Sequence, residues 1–259
     1  MGGRASYACV DGVATITLED TAARNAIDLG MAGQLAEGIA RAGREARVLV
    51  IRGAGDFFCS GANVLTVMPS GSHDAPDPGA FMAEHFDPIV SGIRDLPIPV
   101  VTLLNGPAVG IGASIALMGD IILAVDTAFI RLAFRGIGLA ADGGATYILP
   151  RMLSRVRAME LLVLGRKLEA SKALDWGLIN EVWSADELES GLAAILDDIT
   201  TGPASLGIVR RGVWEGLDKD WDAQLAAEAQ MQGEAVRTED FAEGVRAFRE
   251  KRSPKFKGR

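Results

Sequence analysis

The sequence predicts an α/β fold, with a core of alternating strands and helices and a helical C-terminal region. Strand and helix patterns alternate from Ser6 to Asp142, and helical patterns dominate from Gly143 onward. The chain has 259 residues, of which 49% are hydrophobic, which is enough for one large core with a smaller appended part. We therefore assign residues 1–200 to the core and residues 201–259 to the appended helical region.

The first predicted elements are a hairpin, a helix and a buried strand. The alternating segments Ser6–Val10 and Val13–Leu18 flank the two-residue turn Asp11-Gly12, a strong hairpin signal. Asp28 precedes an apolar helical pattern and can cap that helix. The run Arg47–Ile51 is typical of a buried strand, which should end at Gly53.

The middle of the chain combines glycine-containing turns with further elements. A turn over residues 57–63 precedes a Pro/Gly/Ser-bearing loop, residues 64–78, which we expect to be mobile. Residues 81–94 should form a helix, and residues 99–103 a strand that leads through a glycine-rich turn into another helix. Short strands are expected at 121–125, 128–132 and 178–183. The amphipathic segment 221–249 either packs on its own core or reaches another subunit.

Composition excludes several classes of protein. With a net charge of −8 and no basic block beyond the C-terminal tail, nucleic acid is not an expected partner. Two cysteines and two histidines, widely spaced, give neither a disulfide framework nor a metal site, and we expect a cytoplasmic protein. Residues 96–119 lack charge over a length that could span a bilayer, but their prolines and glycines favour a buried strand, turn and helix.

The glycine-rich turn Asn105–Ser114 is the most informative segment. Backbone amides at the start of a helix can approach a ligand closely and favour negative charge. The spacing of Gly106, Gly110 and Gly112 matches no dinucleotide fingerprint, and no phosphate-loop motif occurs. A serine hydrolase centred on Ser114 is disfavoured, because both histidines, His73 and His85, precede it.

Five further blocks occur in order along the chain: Arg24-Asn25-Ala26-Ile27-Asp28, Phe58-Cys59-Ser60-Gly61-Ala62-Asn63, the turn from Asn105 to Ala113, the segment from Ile137 through Asp142-Gly143-Gly144 to Arg151, and residues 241–252. Together they resemble the motifs of the enoyl-CoA hydratase/isomerase (crotonase) superfamily. The resemblance implies a spiral of ββα units, a C-terminal region that builds trimers or paired trimers, and an acyl-CoA thioester substrate. Coenzyme A would enter as part of that substrate, with no further cofactor and no metal.

The resemblance also implies an oxyanion hole made by the backbone amides of Ala62 and Ile111. Such donors stabilise enolate charge on a thioester oxygen by about 3 kcal/mol each. The residues around these donors, Ser60, Gly61, Asn63 and Gly110, are expected at the substrate, and so are Ser114 and Phe134. Ile111 replaces the usual glycine.

The proton chemistry is expected to differ from that of the family's hydratases. Ser114 and Phe134 occupy the positions where hydratases carry two glutamates, and neither side chain can transfer a proton in the required range. Asp142 resembles the single aspartate of the isomerase-like branch, although Ala141 replaces a proline. One carboxylate suffices for a 1,3-proton shift. The competing interpretation of Asp142 is an N-cap for a helix starting at Gly143.

Three residues match the coenzyme A contacts of the family. Arg24 resembles the basic residue near the nucleotide phosphates. Phe248 and Lys251 resemble the aromatic residue and lysine that reach a neighbouring subunit's adenine and 3′-phosphate. Leu65 replaces a lysine that many members carry.

The sequence thus predicts an enoyl-CoA isomerase in which Asp142 shuttles the proton. The alternatives are an enoyl-CoA hydratase, which would use water and Asp142, and an acyl-CoA-binding protein without catalysis.

Overall fold

The computed structural model describes residues 2–64 and 77–259, and the α/β prediction is confirmed. The strands are Arg4–Val10 (β1), Val13–Glu19 (β2), Val48–Gly53 (β3), Val100–Leu104 (β4), Ala108–Val109 (β5), Ile121–Val125 (β6), Phe129–Arg131 (β7), Leu168–Glu169 (β8) and Glu181–Trp183 (β9). The helices are Leu29–Glu45 (α1), Pro78–His85 (α2), Asp87–Arg94 (α3), Ile111–Ala116 (α4), Ala145–Met152 (α5), Arg155–Leu164 (α6), Ala170–Asp175 (α7), Leu188–Thr200 (α8), Ser205–Gly216 (α9), Trp221–Ala235 (α10) and Glu239–Glu250 (α11).

A six-stranded sheet of order β1-β2-β3-β4-β6-β9 forms the centre of the molecule. The β1–β2 hairpin is antiparallel and the other four pairings are parallel. Because the side chains of β4 are buried throughout, its sequence is continuously apolar apart from Thr102. A second sheet, of order β5-β7-β8, lies where the glycine-rich turn leaves β4.

Most element predictions are confirmed, with three corrections. The predicted helix 81–94 is two helices, α2 and α3, separated at Phe86. The segment 221–249 is also two helices, α10 and α11. The short strand predicted at 178–183 is confined to Glu181–Trp183.

Asp28 caps α1 as predicted, since its carboxylate accepts a hydrogen bond of 2.8 Å from the amide of Met31. The loop predicted at 64–78 falls largely outside the described residues, as do Leu65 and His73. Within the described ranges no single helix is long and apolar enough to cross a bilayer. One pair, α8 with α9, passes by length and composition but is bent by 100°.

Helix α9 is fastened to the core by Arg210, whose side chain is only 4% exposed. Its guanidinium donates to Asp120 at 2.6 Å and to the carbonyl oxygens of Ile93, Arg94 and Leu96. These carbonyls lie at the C-terminal end of α3 and in the residues that follow, where a helix leaves carbonyl groups without partners of its own. One side chain thus joins the C-terminal helices to the end of α3.

Candidate active site

The segment Phe58–Asn63 runs between two other stretches of backbone. On one side the amide of Val109 donates to the carbonyl of Cys59 at 2.8 Å. On the other, the amide of Ile27 donates to Gly61 at 2.8 Å, and the amide of Asn63 donates to Ile27 at 2.9 Å. These bonds bring two turns that are distant in sequence to one place.

The two turns meet at glycines. Gly61 and Gly110 both have positive φ, +105° and +56°, which is unfavourable for other residues. A Cβ built on Gly61 would lie 3.8 Å from the amide nitrogen of Ile111. The backbone at Ile111 therefore lies directly beside the turn that carries Ala62.

The amides of Ala62 and Ile111 donate no hydrogen bond within residues 2–64 and 77–259. Ile111 is the first residue of α4, where amide groups have no partner within the helix and favour negative charge. Ile111 has a side chain where the family usually has glycine, and the oxyanion hole formed by these two amides stays a prediction.

Two asparagines, the buried Asn25 and the half-buried Asn105, hold the preceding loop, and the sequence motifs gave neither a role. Asn25 is fully buried, and its amide donates to the carbonyls of Ala54 and Phe57 at 2.8 and 2.7 Å. Asn105 accepts from the amide of Gly53 at 2.9 Å and donates to Gly55 at 2.8 Å. Both asparagines lie inside the sequence blocks that resemble the family, and that position was the only sequence signal for their structural role.

Asp142 lies on the backbone that precedes α5. It does not cap this helix: α5 begins at Ala145, its N-cap is Gly144, and no side chain provides a capping bond. The N-cap interpretation is therefore wrong. The Asp142 Oδ1 atom is buried and has no hydrogen-bond partner among the described residues. Burial, and secondly the negative charge of Asp87, raise the pKa of Asp142 to about 6.

Asp87 is the charged residue that sequence reasoning missed. It is the first residue of α3, far from Asp142 in the sequence, and no motif connects them. Asp87 and Gly144 line the same cavity of about 790 Å³, between α3, α5 and α9. Val90, Leu96, Met118, Ile148 and Ile208 supply apolar walls, and Tyr147 and Trp214 lie among the charged groups of the lining.

Ser114 and Phe134 are both buried. The Ser114 hydroxyl donates to the backbone carbonyl of Asp142 at 2.9 Å, and Ser114 is only 1% exposed. Phe134 lies in the 3₁₀ segment Ala133–Ile137, where its carbonyl accepts from the amide of Leu139 at 3.1 Å. The Ser114 hydroxyl therefore donates to a backbone carbonyl, and among the described residues His85 forms no hydrogen bond with it, so this part of the structure does not favour a serine hydrolase.

The three residues predicted to contact coenzyme A lie on separate parts of the fold. Arg24 is exposed with φ of +55°, its guanidinium lies 5.2 Å from the ring centre of Phe57, and its carbonyl accepts from the amide of Ser60 at 3.0 Å. Phe248 is 86% exposed on α11, and Lys251 caps the end of that helix. No hydrogen bond or ring contact among the described residues joins Phe248 or Lys251 to the two turns, so these assignments stay predictions.

Comparison with known proteins identifies the family. The family model for enoyl-CoA hydratase/isomerase matches residues 9–259. The chain is 38% identical to the 1,2-epoxyphenylacetyl-CoA isomerase of Escherichia coli, over 96% of both chains. It is 36% identical to a probable enoyl-CoA hydratase of Rhodobacter capsulatus, over 98% of this chain and 97% of the relative. The crystal structure of a putative enoyl-CoA hydratase from Streptomyces coelicolor superposes with a TM-score of 0.92 at 30% identity, covering 99% of this chain and 94% of the other.

The chain belongs to the enoyl-CoA hydratase/isomerase family. The predicted crotonase-type fold is confirmed, and so is the prediction of an acyl-CoA-processing enzyme. Binding without catalysis, one of the alternatives drawn from the sequence, is not favoured.

Proposed function

We propose that this protein is an enoyl-CoA isomerase that moves a double bond by a 1,3-proton transfer, with Asp142 as the single proton carrier. The observation that carries the proposal is the Asp142 carboxyl, which is half-buried, whose Oδ1 atom has no hydrogen-bond partner among the described residues, and whose pKa is raised to about 6. A carboxylate with this pKa is ionised at pH 7 and is a stronger base than an ordinary aspartate.

In the proposed reaction the substrate is a thioester with a double bond between its β- and γ-carbons. The Asp142 carboxylate removes an α-proton, and the electron pair of the broken C–H bond spreads onto the thioester oxygen as a dienolate. The amides of Ala62 and Ile111 donate to that oxygen. The protonated Asp142 then returns the proton to the γ-carbon, and the double bond now joins the α- and β-carbons.

The same proposal accounts for the residues at the two other positions. Hydration needs groups that orient water, accept its proton and protonate carbon. The Ser114 hydroxyl donates its hydrogen bond to the backbone carbonyl of Asp142, and the side chain of Phe134 cannot exchange a proton. One carboxyl group is sufficient for isomerisation, and Asp142 provides it.

The test compares wild type, Asp142→Asn and Asp142→Ala in two assays, conversion of a Δ3-enoyl-CoA and hydration of crotonyl-CoA. We expect isomerisation in the wild type and a loss of roughly 10²-fold or more in both variants. Asp175→Asn, at an exposed aspartate on α7, is the control and should retain full activity. An unchanged rate in Asp142→Ala, or crotonyl-CoA hydration faster than isomerisation, would contradict the proposal.

We propose a trimer, or a pair of trimers, as the assembly. Helix α6 exposes Val156, Met159 and Val163 at a spacing that places them on one face, and Phe248 is almost fully exposed. Such surfaces support burial against other subunits. Sedimentation equilibrium should give three or six times the monomer mass of 27.3 kDa, and a monomer at micromolar concentration would contradict this assembly.

A further inference from the structure

We propose that Ser114 is a positioning residue, whose hydroxyl fixes the backbone of Asp142 to the helix that begins at Ile111. This inference rests on the proposed function of Asp142 as the proton carrier. It assigns Ser114 a role in aligning the base with the oxyanion hole rather than a contact with the substrate.

A buried hydrogen bond joins Ser114 to the backbone of Asp142. Ser114 lies on α4 and donates to the Asp142 carbonyl at 2.9 Å across 28 positions of sequence. Because Ser114 is 1% exposed, water cannot readily replace this bond when it is lost. The loop that carries Asp142 is therefore tied to the helix that presents the amide of Ile111.

The residue after Asp142, Gly143, packs closely against α4. Gly143 has φ of +59°, and a Cβ placed on it would overlap Cδ1 of Ile111 and lie 2.8 Å from Cβ of Ser114. The absence of a side chain lets the Asp142–Gly143 backbone lie directly on the first turn of α4. The hydrogen bond and the close packing act at the same contact.

The carboxyl group of Asp142 has no comparable restraint. Its Oδ1 atom is buried and has no hydrogen-bond partner among the described residues, so the backbone must set where the carboxyl points. The Asp142 carbonyl accepts from the amide of Ala145 at 3.2 Å and from Ser114. Within the described residues, Ser114 provides the only side-chain hydrogen bond to Asp142.

The test is Ser114→Ala, with Thr102→Val as the matched control. Thr102 is also fully buried, but its hydroxyl has no hydrogen-bond partner in the described structure, so its loss should not change activity. For Ser114→Ala we expect kcat to fall about tenfold or more, because small displacements of a catalytic group are costly. KM for the enoyl-CoA should change by less than about twofold, since the backbone amides of Ala62 and Ile111, which are proposed to bind the thioester oxygen, remain.

Two further variants separate positioning from folding and from the proposed function itself. Ser114→Cys keeps a weak donor and should recover part of kcat. This variant alone decides the question if Ser114→Ala does not fold. The double variant, Ser114→Ala with Asp142→Asn, should have the same kcat as Asp142→Asn alone, because Ser114 acts only through the carboxylate that Asp142→Asn removes.

The inference is overturned if Ser114→Ala, or Ser114→Cys where it stands alone, keeps wild-type kcat. It is also overturned if the losses in Ser114→Ala and Asp142→Asn multiply, or if KM rises at constant kcat. Full activity in Asp142→Asn would instead refute the proposed function. An inactive Asp142→Asn beside a fully active Ser114→Ala would refute only the role of Ser114.

Discussion

Gly61 lies against Gly110, so that a Cβ built on either glycine would be 3.8 Å from the Cα of the other. The contact joins two turns that are separated by almost fifty positions, and each turn is followed immediately by an amide that donates to no partner among the described residues. The distance between the amides of Ala62 and Ile111, the two donors of the proposed oxyanion hole, depends on this contact.

The first prediction concerns this glycine contact. Gly61→Ala should lower isomerase kcat by roughly 10-fold or more, because alanine at φ +105° is strained and its Cβ would lie 3.1 Å from the carbonyl of Val109. The measurement is steady-state kinetics with a Δ3-enoyl-CoA. Gly33→Ala is the control: Gly33 lies in α1 with no atom near its Cβ position, so activity should persist and stability should rise slightly. Equal activity of the two variants would count against the oxyanion role of this turn.

The second prediction concerns stability and pH. Since the pKa of Asp142 is raised from 3.8 to about 6, the folded protein binds more protons than the unfolded chain between these values. The resulting stabilisation is complete below pH 3.8 and is lost as the pH rises through 6. Asp142→Asn should therefore unfold like wild type near pH 4 and be more stable at pH 7.5. The gain should be on the order of 1 kcal/mol, because solvent reaches part of the carboxyl.

Chemical denaturation at the two pH values measures this difference. Asp175→Asn, at an exposed aspartate, should show no such pH-dependent gain. If Asp142→Asn were less stable than wild type at pH 7.5, the carboxylate would not be the destabilising group that its burial implies.

The third prediction concerns Asp87. Removing its negative charge with Asp87→Asn should lower the pKa of Asp142, since that charge raises it. The base would then stay ionised at lower pH, and the acidic limb of the kcat/KM profile would shift to lower pH. Because Asp87 is exposed, the shift should shrink at high salt. Asp95→Asn, at the other end of α3, should leave the limb in place, and identical profiles for all three proteins would refute the electrostatic link.

The fourth prediction concerns the attachment of α9. Arg210→Met should lower the free energy of unfolding by about 3–5 kcal/mol, because it leaves Asp120 and three carbonyls without their buried partner. Arg211→Met is the matched control, since Arg211 forms exposed ion pairs with Glu215 and Glu234 that are worth at most about 1 kcal/mol. Urea denaturation of both variants decides the matter, and similar losses would contradict the role of Arg210 as the main attachment.

Local chemistry in the sequence determined the elements and the family. The Asp11-Gly12 turn specified the hairpin, Asp28 the start of α1, and the apolar run before Asn105 the central strand, because each signal is confined to a few neighbouring residues. The glycine-containing blocks, taken together and in order, indicated the family. They also marked Ala62, Ile111 and Asp142 as candidates for the site.

Only the tertiary structure decided how these candidates relate to one another. The contact of Gly61 with Gly110, the bond from Ser114 to Asp142 and the effect of Asp87 all join residues distant in the sequence. The N-cap interpretation of Asp142 failed for the same reason. Whether an aspartate caps a helix depends on where the folded chain holds its backbone. Here the Asp142 carbonyl accepts a hydrogen bond from Ser114 on α4, and α5 begins only at Ala145. Burial and long-range contacts, which set the pKa of this carboxyl, arise only when the chain is folded.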